Sequence, residues 1–304
     1  MKAFRINQWG QPGQIEDIPQ PVPANDEVLV RVHATSINPV DVMSVAGYLK
    51  AMQQVPLTPG TDFAGEVIST GANVTHVKVG DAVYGMIPMR GGAFAEYATP
   101  KGHELALKPQ SLDYGQAAAV PLASLAAWQT LIDFAKVQNG ERVLILGAAG
   151  NVGSVAVQLA KQNGAYVIAC DLPGRENFLL ELGADELIDA ETEKFEELVK
   201  DIDIVANYAS ADLLERAYSV IKSGGRYATT FGQPDQVAAE LRGIRSFGVF
   251  TQPTVEHLTR LANMIDANKL KVFVQNTFPL DATQAALDYR LPAGQAGKVV
   301  VTVA

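Results

Sequence analysis

The chain has 304 residues, which is enough for two domains that each bury a core. With 48% hydrophobic and 19% charged residues it has the balance of a globular protein in water, and no apolar run is long enough to cross a bilayer. The net charge of -9 argues against nucleic acid or an anionic membrane as the main partner. A single cysteine, Cys170, excludes an internal disulfide, and with a strand-like N-terminus it predicts a cytoplasmic protein.

The first third of the chain, to about residue 108, is predicted to be a barrel-like β domain. Short apolar or alternating runs that are typical of strands are separated by turns, and prolines interrupt the series repeatedly. The predicted strands lie at 28–34, 63–69, 79–85 and 92–98. Many short strands with such punctuation favour a barrel over a helical or doubly wound fold.

Beyond residue 111 the pattern is helical to residue 134, and strands and helices then alternate. This alternation predicts an α/β fold with a doubly wound parallel sheet. The tail from residue 272 returns to strand character, so we expect it to fold back onto the N-terminal domain. The predicted strands are 142–146, 166–170, 185–189, 202–206, 225–230 and 244–250, and the predicted helices are 151–163, 174–182, 192–200, 211–222, 254–268 and a short one near 281–290.

The turn that follows the strand at 142–146 is the most informative feature. It carries Gly147, Gly150 and Gly153 and leads directly into an amphipathic helix. Glycine lets the backbone approach a diphosphate closely, and a helix N-terminus presents open N–H groups and a positive dipole end to an anion. The spacing is G-x-x-G-x-x-G, with Ala149 in the middle position, and no Gly-Lys-Ser/Thr follows, which excludes a P-loop. The predicted dinucleotide-binding residues are Gly147, Ala148, Ala149, Gly150, Asn151, Val152 and Gly153; the alternative is an ordinary strand-to-helix turn.

The turn and the alternation together predict the domain organisation. A dinucleotide-binding Rossmann domain is expected at 119–269, and a catalytic β-barrel-like domain at 1–118 plus 270–304.

Two residues at the end of the next strand bear on the choice of dinucleotide. Asp171 ends the apolar run 166–170, where a carboxylate accepts hydrogen bonds from the adenosine ribose and repels a 2′-phosphate, which favours NAD(H). Arg175 follows four residues later and is suited to bind that phosphate, which would favour NADP(H). The alternative for Arg175 is a solvated side chain at a helix start.

A series of short motifs runs through the chain in a characteristic order. They are SINPVD (36–41), PGTDFAGE (59–66), VGDAV (79–83), GAFAEY (92–97), AVPLA (119–123), VAVQ (155–158, after the glycine turn) and AGKVV (296–300). In this order the chain resembles the medium-chain dehydrogenase/reductase family, and within it the zinc-independent quinone oxidoreductases. The resemblance covers nearly the whole chain and implies a GroES-like N-terminal domain, with NADP(H) slightly favoured as cofactor.

The resemblance also bears on metal. Zinc-dependent alcohol dehydrogenases of the family bind catalytic zinc through a Cys in the segment matching 36–41 and a His after the glycine matching Gly60. This chain has no Cys there, has Thr61 in place of the His, and carries only four scattered histidines. Because zinc needs three or four ligands around one point, we predict no metal. Without a Lewis acid, hydride transfer from NAD(P)H to an electron-poor quinone or α,β-unsaturated carbonyl is the expected reaction.

The predicted catalytic residues are Asn38, Asp41, Tyr48 and Thr61. By resemblance, Asn38 contacts the nicotinamide or substrate and Asp41 orients its neighbours, while the alternative for both is turn and helix-start chemistry. Tyr48 is a candidate hydrogen-bond donor to a quinone oxygen, or else a half-buried packing residue. Thr61 either contacts substrate or fills the space of the absent ligand.

Further cofactor contacts are implied by resemblance alone. Thr130 is expected near the carboxamide, and a helical packing role competes with this. Lys298 matches a family lysine near the domain cleft and is counted as a cofactor contact, and an ordinary surface lysine on a strand is its alternative. Dimerisation is expected across an edge strand at 246–250. The loop residues expected near the cofactor are Phe231, Gly232, Phe250 and Thr251.

The sequence therefore predicts a soluble NAD(P)H-dependent reductase of quinones or α,β-unsaturated carbonyls that acts without metal. Two alternatives stay open: an enoyl or alkenal reductase for one metabolite, and a nucleotide-sensing protein with little turnover. The partners expected are a small-molecule acceptor and a second copy of the chain.

Overall fold

The computed structural model describes residues 1–290 and 297–303; Ala296 of the last motif lies outside them. The strands are β1 (Lys2–Arg5), β2 (Gln14–Asp17), β3 (Val28–Ser36), β4 (Asp62–Thr70), β5 (Ala82–Met86), β6 (Tyr97–Ala98), β7 (Leu105–Leu107), β8 (Arg142–Leu146), β9 (Tyr166–Asp171), β10 (Glu186–Asp189), β11 (Ile202–Asn207), β12 (Ile221–Thr229), β13 (Arg245–Gly248), β14 (Val274–Pro279) and β15 (Lys298–Thr302). The helices are α1 (Pro39–Val45), α2 (Tyr114–Ala118), α3 (Pro121–Trp128, continued as a π-helix over Gln129–Phe134), α4 (Asn151–Gln162), α5 (Glu176–Glu181), α6 (Phe195–Leu198), α7 (Leu214–Val220), α8 (Gln236–Leu241), α9 (Val255–Asp266) and α10 (Thr283–Arg290).

The chain forms two compact units. Unit 1 contains residues 1–122 and the described residues from 252 onward, and unit 2 contains Ala123–Thr251. The predicted organisation placed α9 in the Rossmann domain, whereas the structure places it in unit 1. There the Tyr84 hydroxyl donates to the Leu258 carbonyl at 2.6 Å, and the Asp266 carboxylate accepts from the Ser111 N–H at 2.9 Å. The second boundary therefore falls near residue 252 and not near 270.

Unit 1 is built around a mainly antiparallel sheet, as predicted for the GroES-like domain. Its strand order is β14-β15-β3-β4-β5-β7, with β6 paired to β3, and only β14 and β15 run parallel. The tail strand β15 pairs with β3, which confirms that the tail returns to the first domain. Valines 28, 30 and 32 on β3 and Phe63 on β4 lie in the buried core of this sheet.

Unit 2 is a doubly wound sheet of six parallel strands in the order β10-β9-β8-β11-β12-β13. Counted from β8 this is the order 3-2-1-4-5-6 of a Rossmann fold, which confirms the predicted fold class. The central strand β8 has four buried residues in a row, as expected for a parallel strand covered on both faces. Its carboxyl end lies where the strand order reverses, and this is where such sheets bind ligands.

One predicted helix is much shorter than expected. The helix at 192–200 is reduced to α6, because the Asp189 carboxylate accepts hydrogen bonds from the Glu191 N–H and the Thr192 hydroxyl. These bonds hold the chain in a turn before residue 194. Among the helices described, none is long and apolar enough to span a membrane.

Candidate active site

The glycine turn, residues 147–153, closes through contacts that only glycine permits. Gly147 has φ +75°, in the left-handed region that favours glycine. A Cβ on Gly153 would lie 2.1 Å from the Gly147 carbonyl oxygen, so the start of α4 packs directly on the turn. The turn therefore brings the helix N-terminus to the end of β8, as the sequence predicts.

The start of α4 fits an anion. Among the described residues, none accepts a hydrogen bond from the N–H groups of Asn151, Val152 or Gly153. A Cβ on Gly150 would meet only the Gly147 oxygen, at 3.3 Å, so the space in front of Gly150 is open. The buried Asn151 Oδ1 also lacks a partner within the described part of the chain. Open N–H groups and free space are the features that a bound diphosphate would use, whereas the Asn151 amide oxygen is an acceptor and would not bind the diphosphate oxygens.

Asp171 is held against the glycine turn. Its carboxylate accepts from the Ala149 N–H at 2.7 Å and from the Leu172 N–H at 2.8 Å. Arg175 lies at the start of α5, and both residues line a pocket of about 210 Å³ beside the end of β9. Asp171, which favours NAD(H), and Arg175, which favours NADP(H), therefore lie in the same pocket.

Thr130 is fully buried, and its hydroxyl donates to the carbonyl oxygens of Ala126 and Ala127 at 2.8 and 3.0 Å. It also contacts the hydroxyl of Tyr208, which follows β11 and packs against Gly147. Burial raises the pKa of Tyr208, so the phenol stays protonated. The sequence analysis did not name Tyr208, although its position shortly after the predicted strand 202–206 makes it a candidate for this site.

The predicted loop residues follow β12 and β13 at the same edge of the parallel sheet. The Phe231 N–H donates to the Thr229 hydroxyl at 3.1 Å, and Gly232 has φ +71°. Phe231 and Phe250 are 43% and 60% exposed, which is unusual for phenylalanine. With Thr251, these residues lie in unit 2 next to strand ends, as dinucleotide contacts in this fold do.

In unit 1, Asn38, Asp41, Thr61, Asp62 and Lys298 form a buried polar network. Lys298 Nζ donates to Asp62 Oδ2 at 3.0 Å and also to Asn38 Oδ1. Asn38 Nδ2 donates to Asp62 Oδ2 at 2.9 Å and to the Ser36 carbonyl at 3.3 Å. All five side chains are at most 5% exposed. The network thus satisfies a buried ion pair with hydrogen bonds on both sides.

Asp41 and Thr61 form the other end of the network. The Thr61 hydroxyl donates to Asp41 Oδ1 at 2.8 Å, and the Asn38 N–H donates to Asp41 Oδ2 at 2.9 Å. Burial raises the pKa of Asp41 to about 7, and the Asp62 charge adds to this, while the Thr61 hydrogen bond opposes it. Asp41 therefore exchanges a proton near neutral pH.

The structure departs from the sequence interpretation at two predicted residues. Lys298 is 1% exposed, so the alternative of a surface lysine is wrong, and its ammonium already binds Asn38 and Asp62. Tyr48 is 78% exposed, so the alternative of a half-buried packing residue is also wrong. The cofactor role of Lys298 and the catalytic role of Tyr48 stay predictions.

No group of three or more His, Cys, Asp or Glu side chains within residues 1–290 and 297–303 is placed to hold a metal ion. Cys170 is buried, and burial raises its thiol pKa to about 12, as expected for a core residue.

Comparisons with known proteins agree with this architecture. Residues 24–110 match the alcohol dehydrogenase GroES-like domain, and residues 182–301 match a family described as zinc-binding dehydrogenase. The chain is 34% identical to a 2-methylene-furan-3-one reductase of Solanum lycopersicum and 33% identical to an NADPH-dependent alkenal/one oxidoreductase of Arabidopsis thaliana, in each case over 99% of this chain and 79% of the relative. The quinone oxidoreductase from Coxiella burnetii superposes with a TM-score of 0.91 at 30% identity, covering 100% of this chain and 99% of that one. The chain is therefore a member of the medium-chain dehydrogenase/reductase family of oxidoreductases.

Proposed function

We propose that this protein is an NAD(P)H-dependent reductase that transfers hydride to a quinone or an α,β-unsaturated carbonyl without a metal ion. The observation that carries the proposal is the row of open N–H groups at Asn151, Val152 and Gly153, at the point where the strand order of unit 2 reverses. The names of the relatives in Solanum, Arabidopsis and Coxiella support the acceptor class.

The residues of unit 2 suit the proposed cofactor. The N–H groups at the start of α4 would bind its diphosphate, the open space at Gly150 would admit it, and Asp171 would bind its ribose. Thr130, Phe231, Gly232, Phe250 and Thr251 are proposed to line its nicotinamide end. When bound, the cofactor supplies the hydride, and the protein supplies binding, orientation and exclusion of water.

We assign the proton chemistry to Thr61 and Asp41. When hydride reaches the acceptor carbon, negative charge develops on the acceptor oxygen, and the Thr61 hydroxyl is a donor that can neutralise it. The scheme starts with Asp41 protonated on Oδ1, so that the 2.8 Å hydrogen bond runs from Asp41 to Thr61 Oγ1. The Thr61 proton then passes to the acceptor oxygen, the Asp41 proton passes to Thr61 Oγ1, and water reprotonates Asp41. Asn38, whose amide is fully engaged by Lys298, Asp62 and Ser36, positions the network and touches no substrate in this scheme.

The metal-free assignment follows from the ligand set. Thr61 stands where zinc-dependent relatives place a His, and a threonine hydroxyl is a poor zinc ligand. The proposed acceptors are already polarised by their own carbonyl groups, so they need less electrophilic assistance than an alcohol substrate needs to lose hydride.

A homodimer through β13 is proposed as the assembly. β13 pairs only with β12, which leaves one edge of the parallel sheet open among the described strands. Leu241 and Val237 on the preceding helix α8 are 83% and 67% exposed. An apolar surface beside an open strand edge favours pairing with a second copy. Light scattering on the purified protein tests the dimer. A cytoplasmic location is proposed separately.

A panel of acceptors tests the function. The purified protein should oxidise NADH or NADPH with quinones or enones, and a chelator should leave the rate unchanged. Higher rates with quinones would support a quinone reductase, and high rates with only one alkenal would support a reductase for a single metabolite. Tight nucleotide binding with no acceptor reduced would instead support the nucleotide-sensing alternative.

The roles of Thr61 and Asp41 have their own test. Thr61→Val should lower kcat by at least tenfold while the dissociation constant of the nucleotide stays unchanged, because only the donor is lost. Thr61→Ser keeps the hydroxyl and should retain most of the rate. An unchanged kcat in Thr61→Val would contradict the proton assignment.

A further inference from the structure

The pocket at the end of β9 carries an unusual charge distribution. Its ionisable lining consists of four carboxylates and one guanidinium: Asp171, Glu176, Asp189, Glu193 and Arg175. All belong to unit 2: four lie on or between β9, α5 and β10, and Glu193 follows β10. The surface that faces the ribose end of the proposed cofactor is therefore strongly acidic.

Hydrogen bonds favour the charged form of two of these carboxylates, Glu176 and Asp189. Hydrogen bonds from its own N–H and from that of Gly174 lower the pKa of Glu176. Hydrogen bonds from the Glu191 N–H and from Thr192 lower the pKa of Asp189. The Glu193 carboxylate accepts from the Asp189 N–H at 2.9 Å. Four acidic side chains therefore share the pocket with one basic side chain, Arg175.

Asp171 is fixed where it can select between nucleotides. The hydrogen bond from the Ala149 N–H ties the Asp171 carboxylate to the glycine turn, and the Leu172 N–H holds its other oxygen, so the carboxylate does not swing away without losing both bonds. A ribose that carries free 2′- and 3′-hydroxyls donates to such a carboxylate, whereas a 2′-phosphate brings about two negative charges toward it.

We propose that this protein binds NADH in preference to NADPH, with Asp171 as the specificity-determining residue and the acidic pocket as its support. The inference rests on the proposed function and goes beyond it, because the family resemblance alone favours NADPH. In this scheme Arg175 offsets part of the negative charge of the pocket and does not bind the 2′-phosphate of NADPH.

Direct binding measurements test the proposal without catalysis. Isothermal titration calorimetry with NADH and with NADPH should give a dissociation constant at least tenfold lower for NADH. Asp171→Ser keeps a hydroxyl acceptor for the turn but removes the charge, and should narrow this ratio at least fivefold. Glu181→Gln makes a matched change of charge on an exposed position of α5 outside the pocket and should leave the ratio unchanged.

Four results would overturn the inference, and the last of them would also overturn the proposed function. Equal or tighter binding of NADPH to the wild type would do so while leaving the proposed function intact. An unchanged ratio in Asp171→Ser, with the fold verified by circular dichroism, would remove Asp171 as the selecting residue. A larger loss of NADPH than of NADH affinity in Arg175→Ala would show that Arg175 reads the phosphate. Failure of both nucleotides to bind at millimolar concentration would overturn the proposed function together with the inference.

Discussion

The glycine turn of unit 2 and the buried polar network of unit 1 use different parts of the chain: backbone groups in the turn, and mainly side chains in the network. The turn presents backbone N–H groups from consecutive residues, and its side chains matter mainly where glycine is required, as at Gly147 and Gly153. The network is built mainly from side-chain contacts, and the side chains of Asn38 and Lys298 meet across 260 positions of the chain.

This difference determines how each region responds to substitution. A backbone site tolerates exchange at most positions but fails when a Cβ enters an occupied space. A buried charged network is sensitive at every member, because removal of one partner leaves another polar or charged group without compensation. Substitutions in the network are therefore expected to lower stability. Substitutions at open positions of the turn are expected to weaken ligand binding without a loss of stability.

The largest effect is expected from Lys298→Met. It removes the cation from Asp62, which is fully buried, so the free energy of unfolding should fall by about 3–5 kcal/mol. Urea unfolding of the two proteins measures the change. Lys194→Met is the control, since the Lys194–Glu197 pair is exposed and its loss should leave the urea midpoint close to that of the wild type. A loss below about 1 kcal/mol for Lys298→Met would show that the network does not depend on its ion pair.

Gly153→Ala should destabilise the turn by about 1–3 kcal/mol, because its Cβ would overlap the Gly147 carbonyl and the chain has to shift. Gly115→Ala in α2 is the matched control, since the nearest atom to its Cβ lies at 3.4 Å. Thermal or urea unfolding reports both. Equal stability of the two variants would mean that the start of α4 does not pack on the turn as described.

Asp41→Asn should change how stability depends on pH. With a pKa of about 7 in the folded state, Asp41 keeps its proton after the unfolded chain has released it near pH 4. The folded state then binds one more proton, so wild-type stability falls with rising pH by about 1.4 kcal/mol per unit over this window and levels off above it. The variant lacks this contribution, so its stability relative to the wild type should rise with pH.

The asparagine amide can keep both contacts, accepting from the Asn38 N–H and donating to Thr61. Unfolding free energies of both proteins from pH 4.5 to 8 supply the comparison. If their difference is constant across that range, Asp41 titrates at an ordinary pKa and cannot hold the proton assigned to it.

Local signals explain what the sequence predicted well. The strand at 142–146, the glycine turn and the helix that begins at Asn151 follow from residues that are adjacent in the chain. The apolar stripe of α9 (Leu258, Leu261 and Ile265) predicts that one face of the helix is buried, but it does not predict that this face packs in unit 1.

Long-range contacts account for the rest. Lys298 and Asp62 are 236 positions apart, and the residues adjacent to either one in the sequence do not predict the ion pair. Burial of Lys298 contradicts the ordinary expectation for a strand lysine, and only the assembled sheet supplies its partners. Asp41 was recognised from its motif, while its proton exchange near neutral pH depends on burial beside Asp62.

Binding of NADH to Gly150→Ala tests the central claim, that the glycine turn holds the dinucleotide diphosphate through its backbone. In the free protein a Cβ at Gly150 meets only one atom, so the unfolding free energy should stay within about 0.5 kcal/mol of wild type. The same Cβ would occupy the space that the diphosphate needs, so calorimetry should show an NADH affinity at least tenfold weaker, about 1.4 kcal/mol. An unchanged affinity in a fully folded variant would contradict the account.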